Sequence, residues 1–129
     1  METIRTFGIS ILPDFFAICR FPPGSALPER VPLAAFWSVT VTDEEISLVL
    51  PEEHLEPDWK AEKGWRCLKI RGPLEFDQAG ILASITAPLA DAGIPLFALS
   101  TFDTDYFLVR EHNLSETVNV LQKAGHEIC

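Results

Sequence analysis

Along the first half of the chain, apolar and polar positions follow a period of two. The run FFAICRF (Phe15 to Phe21) is compact and apolar and is closed by Pro22, Pro23 and Gly24, which predicts a strand ending in a loop. The proline-rich stretch PPGSALPERVPL that follows reads as irregular. In AAFWSVTVTDEEISLVLP, Trp37, Val39 and Val41 share one face, Asp43 to Glu45 turn the chain, and Ile46, Leu48 and Leu50 resume the alternation. This predicts a β-hairpin. The polar segment EEHLEPDWKAEKG reads as a short helix or linker, and Trp37, Trp59 and Trp65 are expected to pack between the two halves.

In the second half the period changes. WRCLKIRG (Trp65 to Gly72) predicts a strand stopped by Gly72 and Pro73. In FDQAGILASITAPLADAGIP, Asp77 can cap a helix whose Ile81, Leu82, Ile85 and Leu89 recur on one face. Pro88 predicts a kink or break in that helix, and Gly93 with Pro95 predicts its end. LFALSTFD and YFLVRE read as two strands. Asn113 with Glu116 forms a candidate capping box, Ser115 being the competing cap, ahead of a helix with Leu114, Val118 and Leu121 on one face. HEIC reads as a short last strand. The order is βαββαβ, an α+β, ferredoxin-like arrangement with four antiparallel strands and both helices on one face. Leu96 to Leu99 and Tyr106 to Val109 are apolar on both faces, so the N-terminal half or another copy of the chain must cover the second face or the edge.

Composition narrows the possible functions. The 129 residues carry 10 Lys plus Arg against 19 Asp plus Glu, a formal charge of −9, which argues against nucleic acid as a partner. No apolar run reaches the roughly 18 to 20 residues of a membrane span. The N-terminal stretch is broken by Pro13 and Asp14 and reads as no signal peptide. Cys19, Cys67 and Cys129 are odd in number and scattered, as in a reduced, cytoplasmic protein. His54, His112 and His126 are dispersed and no CxxC occurs, so neither a metal nor a cofactor is expected. No nucleophile motif, His–carboxylate arrangement or phosphate loop nominates an enzyme. The cations Lys60, Lys63, Arg66, Lys69 and Arg71 read as a solvated face.

Two places could carry ligand chemistry. A helix N-terminus at Gly80 presents unpaired N–H groups suited to a carboxylate, and glycine lets a ligand approach the backbone; equally, Gly80 could serve helix–sheet packing. In STFDTD the carboxylates can accept hydrogen bonds from an ammonium group, or can be ordinary turn residues.

The run GPLEFDQAGILASITAPLADAGIPLFALSTFDTDYFLVREHNLSETVNVLQKAG resembles an ACT domain, the ligand-binding regulatory module of amino-acid metabolism. More narrowly it is similar to the bacterial ACT proteins related to the cytosolic arginine sensor of animals. The similarity covers Trp65 to about Ile128, and more loosely FWSVTVTDEEISLVLPEE. It implies a degenerate, strand-rich ACT-like unit over residues 1–61 and an ACT domain over residues 62–129. It also implies side-by-side pairing into a homodimer, with a small-molecule amino acid held at an ACT–ACT junction and a regulatory rather than catalytic role. The residues it implicates are Gln78, Gly80, Ile81, Thr101, Phe102 and Asp105 on one side, with Ile94, Pro95 and Leu96 of a neighbouring unit closing the site. Where the arginine sensor has a glutamate, this chain has Gln78, an amide that cannot balance a guanidinium charge. A neutral amino acid is therefore expected, unless Glu75 compensates. The alternative is an ACT-fold assembly module that binds no ligand.

Overall fold

The computed structural model describes residues 6–27, 36–71 and 80–129. Its elements are β1 (Gly8–Phe21), β2 (Ser38–Val41), β3 (Ile46–Pro51), a 3-10 turn (Glu52–His54), β4 (Lys60–Ile70), α1 (Ile81–Asp91), β5 (Phe97–Ser100), β6 (Asp105–Arg110), a 3-10 turn (Glu111–Asn113), α2 (Leu114–Lys123) and β7 (Glu127–Ile128). They group into two compact units, Asp14–Trp65 and Met1–Pro13 with Arg66–Cys129. The chain passes from one unit to the other within β1 and returns within β4.

In the Asp14–Trp65 unit the expected hairpin is present. β2 pairs antiparallel with β3, Val41 opposite Ile46 and Val39 opposite Leu48, and β3 pairs antiparallel with β1. Thr42 closes the hairpin: its N–H donates to the Glu45 carbonyl at 2.9 Å, and its Oγ1 accepts the N–H groups of Glu44 and Glu45. Ala17, Cys19, Leu48 and Leu50 form the core, with Phe21, Trp37, Leu55 and Trp59 packed against them. Trp37 and Trp59 thus belong to this unit's own core rather than to packing between halves, and Phe21 meets Trp59 edge-on at 5.3 Å. Only Glu52–His54 of the expected helix or linker is helical. From Lys60 onward the chain is already β4, five residues earlier than the apolar pattern indicated, because the start of this strand is mostly exposed and carries charge.

In the other unit β4, α1, β5, β6, α2 and β7 follow in the expected βαββαβ order. Ile81, Ile85 and Leu89 of α1 and Leu121 of α2 share one core with Ile9, Leu68, Ile70, Phe107 and Val109, so both helices lie on one face of the strands. The pairing differs in one respect from a four-stranded antiparallel sheet. The strand order is β7-β1-β4-β6-β5, and β7 runs parallel to β1, Gly8 opposite Glu127. The first half of β1 inserts between β7 and β4, accepting the Arg71 N–H at Gly8 (2.8 Å) and the Cys129 N–H at Ile9 (2.9 Å).

Helix α1 runs unbroken through Pro88, so the expected break is absent. Both helices end in a Schellman motif. After α1, Gly93 (φ +73°) donates to Ala90 and Ile94 to Leu89; after α2, Gly125 (φ +98°) donates to Gln122 and His126 to Leu121. The capping box at Asn113 does not form. Asn113 closes the preceding 3-10 turn with φ −99° and ψ −1°, whereas a box needs an extended N-cap, and no side-chain cap bond is made there. Among the described residues no helix is long and apolar enough to cross a membrane.

Candidate functional site

Gly80 opens α1 in the left-handed region (φ +83°); among the described residues nothing lies within 4 Å of where a Cβ would sit and no side chain caps the helix. The carbonyl of Gly80 accepts the Ser84 N–H at 3.0 Å. Ile81 turns its side chain into the core, 7 % exposed, which leaves its main chain at the first helical turn, where N–H groups lack intrahelical partners. The cap expected from Asp77 lies outside the described residues, as do Gln78 and Glu75.

The β5–β6 hairpin carries the second group. Ser100 is opposite Asp105, and Thr101 N–H donates to the Thr104 carbonyl at 2.8 Å, leaving Phe102 and Asp103 as a two-residue tip. Thr101 Oγ1 also accepts the Thr104 N–H at 3.2 Å. Thr104 is buried and its hydroxyl donates to the carbonyl of Ile70, tying the tip to the end of β4. Phe102 is 78 % exposed. Asp105 is half-buried, and its Oδ1 accepts the Ser100 hydroxyl at 2.5 Å. Because α1 ends where β5 begins and packs back across the sheet, its start lies towards the end of β5 that carries this turn. Gly80, Ile81, Thr101, Phe102 and Asp105 therefore share one end of the unit.

Ile94, Pro95 and Leu96 do not join them. They follow the C-terminus of α1, and an eleven-residue helix separates its two ends by about 16 Å. Ile94 is buried, Leu96 packs on the core and Pro95 is exposed.

The remaining chemistry is quiet. Burial pushes the Cys67 thiol up to about 12 and that of Cys19 to about 11 from an ordinary 9.0, so neither is a ready nucleophile. Tyr106 is also raised, by burial first and by the neighbouring Cys67 second. Of the basic group, Arg66 pairs with Glu111 at 3.1 Å and donates to the Leu12 carbonyl at 3.2 Å. Among the described residues no group of His, Cys, Asp and Glu could hold a metal ion. Sequence reasoning missed Ser100 and Thr104. The two-residue loop in STFDTD is the signal that would have set Ser100 opposite Asp105.

The family model described as "ACT domain" matches residues 60–123. The chain belongs to the ACT domain family. This ACT protein is 39% identical over 132 residues to the human cytosolic arginine sensor for mTORC1 subunit 1 and 38% identical to that of Mus musculus. In both cases 95% of the chain is matched, and it spans about 40% of the length of the sensor. The crystal structure of protein Atu0741 from Agrobacterium tumefaciens superposes on it with a TM-score of 0.91 at 36% identity, covering 97% of this chain and 93% of that one. Clostridium acetobutylicum aspartate kinase, an allosteric enzyme, shares the fold at a TM-score of 0.66 and 13% identity, over 96% of this chain and 36% of the kinase.

Proposed function

We propose that this ACT protein is a cytoplasmic regulatory protein that binds a free amino acid at a junction between two ACT units, the second supplied by another copy of the chain. One observation carries the reading. The residues expected to line the site sit at opposite ends of α1, about 16 Å apart, so one ACT unit cannot bring them onto one small ligand. Two antiparallel units can, the start of α1 in one facing Ile94 to Leu96 of the other. The edge needed for such pairing is available. β5 ends the strand order, and its Ala98 and Ser100 are exposed.

In each half-site the backbone N–H groups at Gly80 and Ile81 take the α-carboxylate, and Asp105 takes the α-ammonium. Gln78 selects a neutral side chain. The strand-rich unit Asp14–Trp65 is the degenerate ACT-like unit of each chain. The relatives support the ligand class, since the human protein is named for sensing arginine and is long enough to hold a second segment of this length.

The test is a thermal-shift screen against the twenty amino acids together with light scattering. A specific neutral amino acid should raise the melting temperature by mass action, and the protein should scatter as a dimer or larger. No shift with any amino acid would make the chain an assembly module. A monomer at high micromolar concentration, with and without ligand, would rule out the shared site.

A further inference from the structure

Pro88 creates a deficit that the helix cannot repair by itself. It occupies an interior position of α1 and has no N–H, so the carbonyl four residues earlier, on Ser84, lacks its intrahelical donor. A carbonyl shielded from water and left in that state destabilises the fold, and Ser84 is half-buried. Here the donor comes from the far end of the sequence. His126, 4 % exposed, places Nε2 at 2.9 Å from the Ser84 carbonyl, while its Nδ1 accepts the Phe7 N–H at 3.1 Å. With Nδ1 accepting, Nε2 must carry the proton, which fixes the tautomer. The imidazole also lies nearly parallel to the Phe7 ring, 6.1 Å away with 12° between the planes.

These bonds form a continuous chain. The Ser84 N–H donates to the Gly80 carbonyl, the Ser84 carbonyl accepts from His126, His126 accepts from Phe7, and the Phe7 carbonyl accepts the Glu127 N–H at 3.0 Å. One end is the first turn of α1 and the other is the β1–β7 pair. The two bonds on the imidazole polarise one another through the ring, so the Phe7 and Ser84 links strengthen each other.

We propose that His126 is a positioning residue for the amino-acid site: it replaces the N–H that Pro88 lacks and thereby anchors the first turn of α1 to β1 and β7. This builds on the reading of Gly80 and Ile81 as ligand-binding backbone, but its decisive tests need no ligand. Long-range 15N–1H NMR of the unaltered protein should find the proton of His126 on Nε2; a proton on Nδ1 overturns the proposal. A double-mutant cycle should then show coupling. His126→Phe, which keeps a ring against Phe7, should raise the unfolding constant about thirtyfold, the worth of the two net hydrogen bonds it removes. In Pro88→Ala, where the introduced alanine supplies a backbone N–H to the Ser84 carbonyl, the same change should cost clearly less. Equal losses in both backgrounds overturn the proposal. Amide exchange separates anchoring from general weakening: in His126→Phe the Ser84 amide should accelerate more than the buried Leu108 amide of β6, and equal acceleration counts against it. Thermal shifts with the twenty L-amino acids complete the set. Any shift seen in the unaltered protein should shrink in His126→Phe and return in the double variant, and a shift that His126→Phe leaves intact overturns the positioning role. If no amino acid shifts the unaltered protein, the proposed function fails while the NMR, cycle and exchange results still decide the role of His126.

Discussion

Replacing Thr104 with valine isolates the bond that ties the β5–β6 tip to β4. The exchange keeps shape and volume, removes one hydroxyl, and takes the side-chain donor away from the Ile70 carbonyl at a buried position. An unsatisfied buried acceptor costs about 1–3 kcal/mol. With an unfolding entropy near 2.1 cal/mol/K per residue, 129 residues convert each kcal/mol into about 4 °C, so the melting temperature should fall by about 4–11 °C. Differential scanning calorimetry measures it. Thr104→Ser serves as the control, since it keeps the hydroxyl and loses only a methyl group, about 0.8 kcal/mol of burial. A valine variant that melts at or above the unaltered protein would refute the reasoning. It would mean that the Ile70 carbonyl is satisfied without Thr104.

Three further outcomes follow. Asp105→Ala should weaken amino-acid binding about tenfold or more in titration calorimetry while leaving the fold intact, the loss expected for one charge-assisted hydrogen bond. In competition binding, a neutral amino acid should outcompete arginine; arginine at least tenfold tighter than every neutral candidate would move the counter-charge to Glu75. Because the folded thiols of Cys67 and Cys19 hold their protons to about 12 and 11 against an ordinary 9.0, the native state binds more protons than the unfolded chain above pH 9. Stability should be full below pH 9 and fall as pH rises towards 11 and 12, and Cys67→Ala should flatten that fall in urea titrations at pH 8, 9.5 and 10.5.

The hairpin and the βαββαβ order were legible because their periods are strong and their stops are glycines. Gly93 ends α1 as its position announced, since a left-handed residue after a helix favours glycine. The first half of β1 was not legible. Gly8 to Pro13 gains its strand character from partners near residues 71 and 127, and Pro13 with Asp14 looks locally like an interruption. The start of β4 hid for a related reason: Lys60, Glu62 and Lys63 are exposed, so no buried face marks the strand there. The capping box failed because a side-chain pattern cannot announce that a 3-10 turn will hold Asn113 in a helical conformation. In the sequence, His126 is one of three dispersed histidines that form no metal site. Pro88 does announce an orphaned carbonyl at Ser84, but which donor satisfies it is settled by tertiary structure alone.

The candidate residues could be named from the sequence but not placed relative to one another, and the division by α1 explains why. Residues near in sequence, such as Gly80 and Ile94, are held about 16 Å apart by the helix between them, while Gly80 and Thr101, further apart in sequence, share an end. A pairing that brings the start of one α1 against Ile94 to Leu96 of another copy brings the converse groups together as well, if the two copies are related by a two-fold axis. Such a dimer has two equivalent sites, each built from both chains, so binding at either one favours association. Ligand affinity and self-association are then linked quantities: whatever strengthens one strengthens the other. Where the pairing is between separate copies, that linkage depends on protein concentration, so diluting the protein should weaken its apparent affinity for the amino acid.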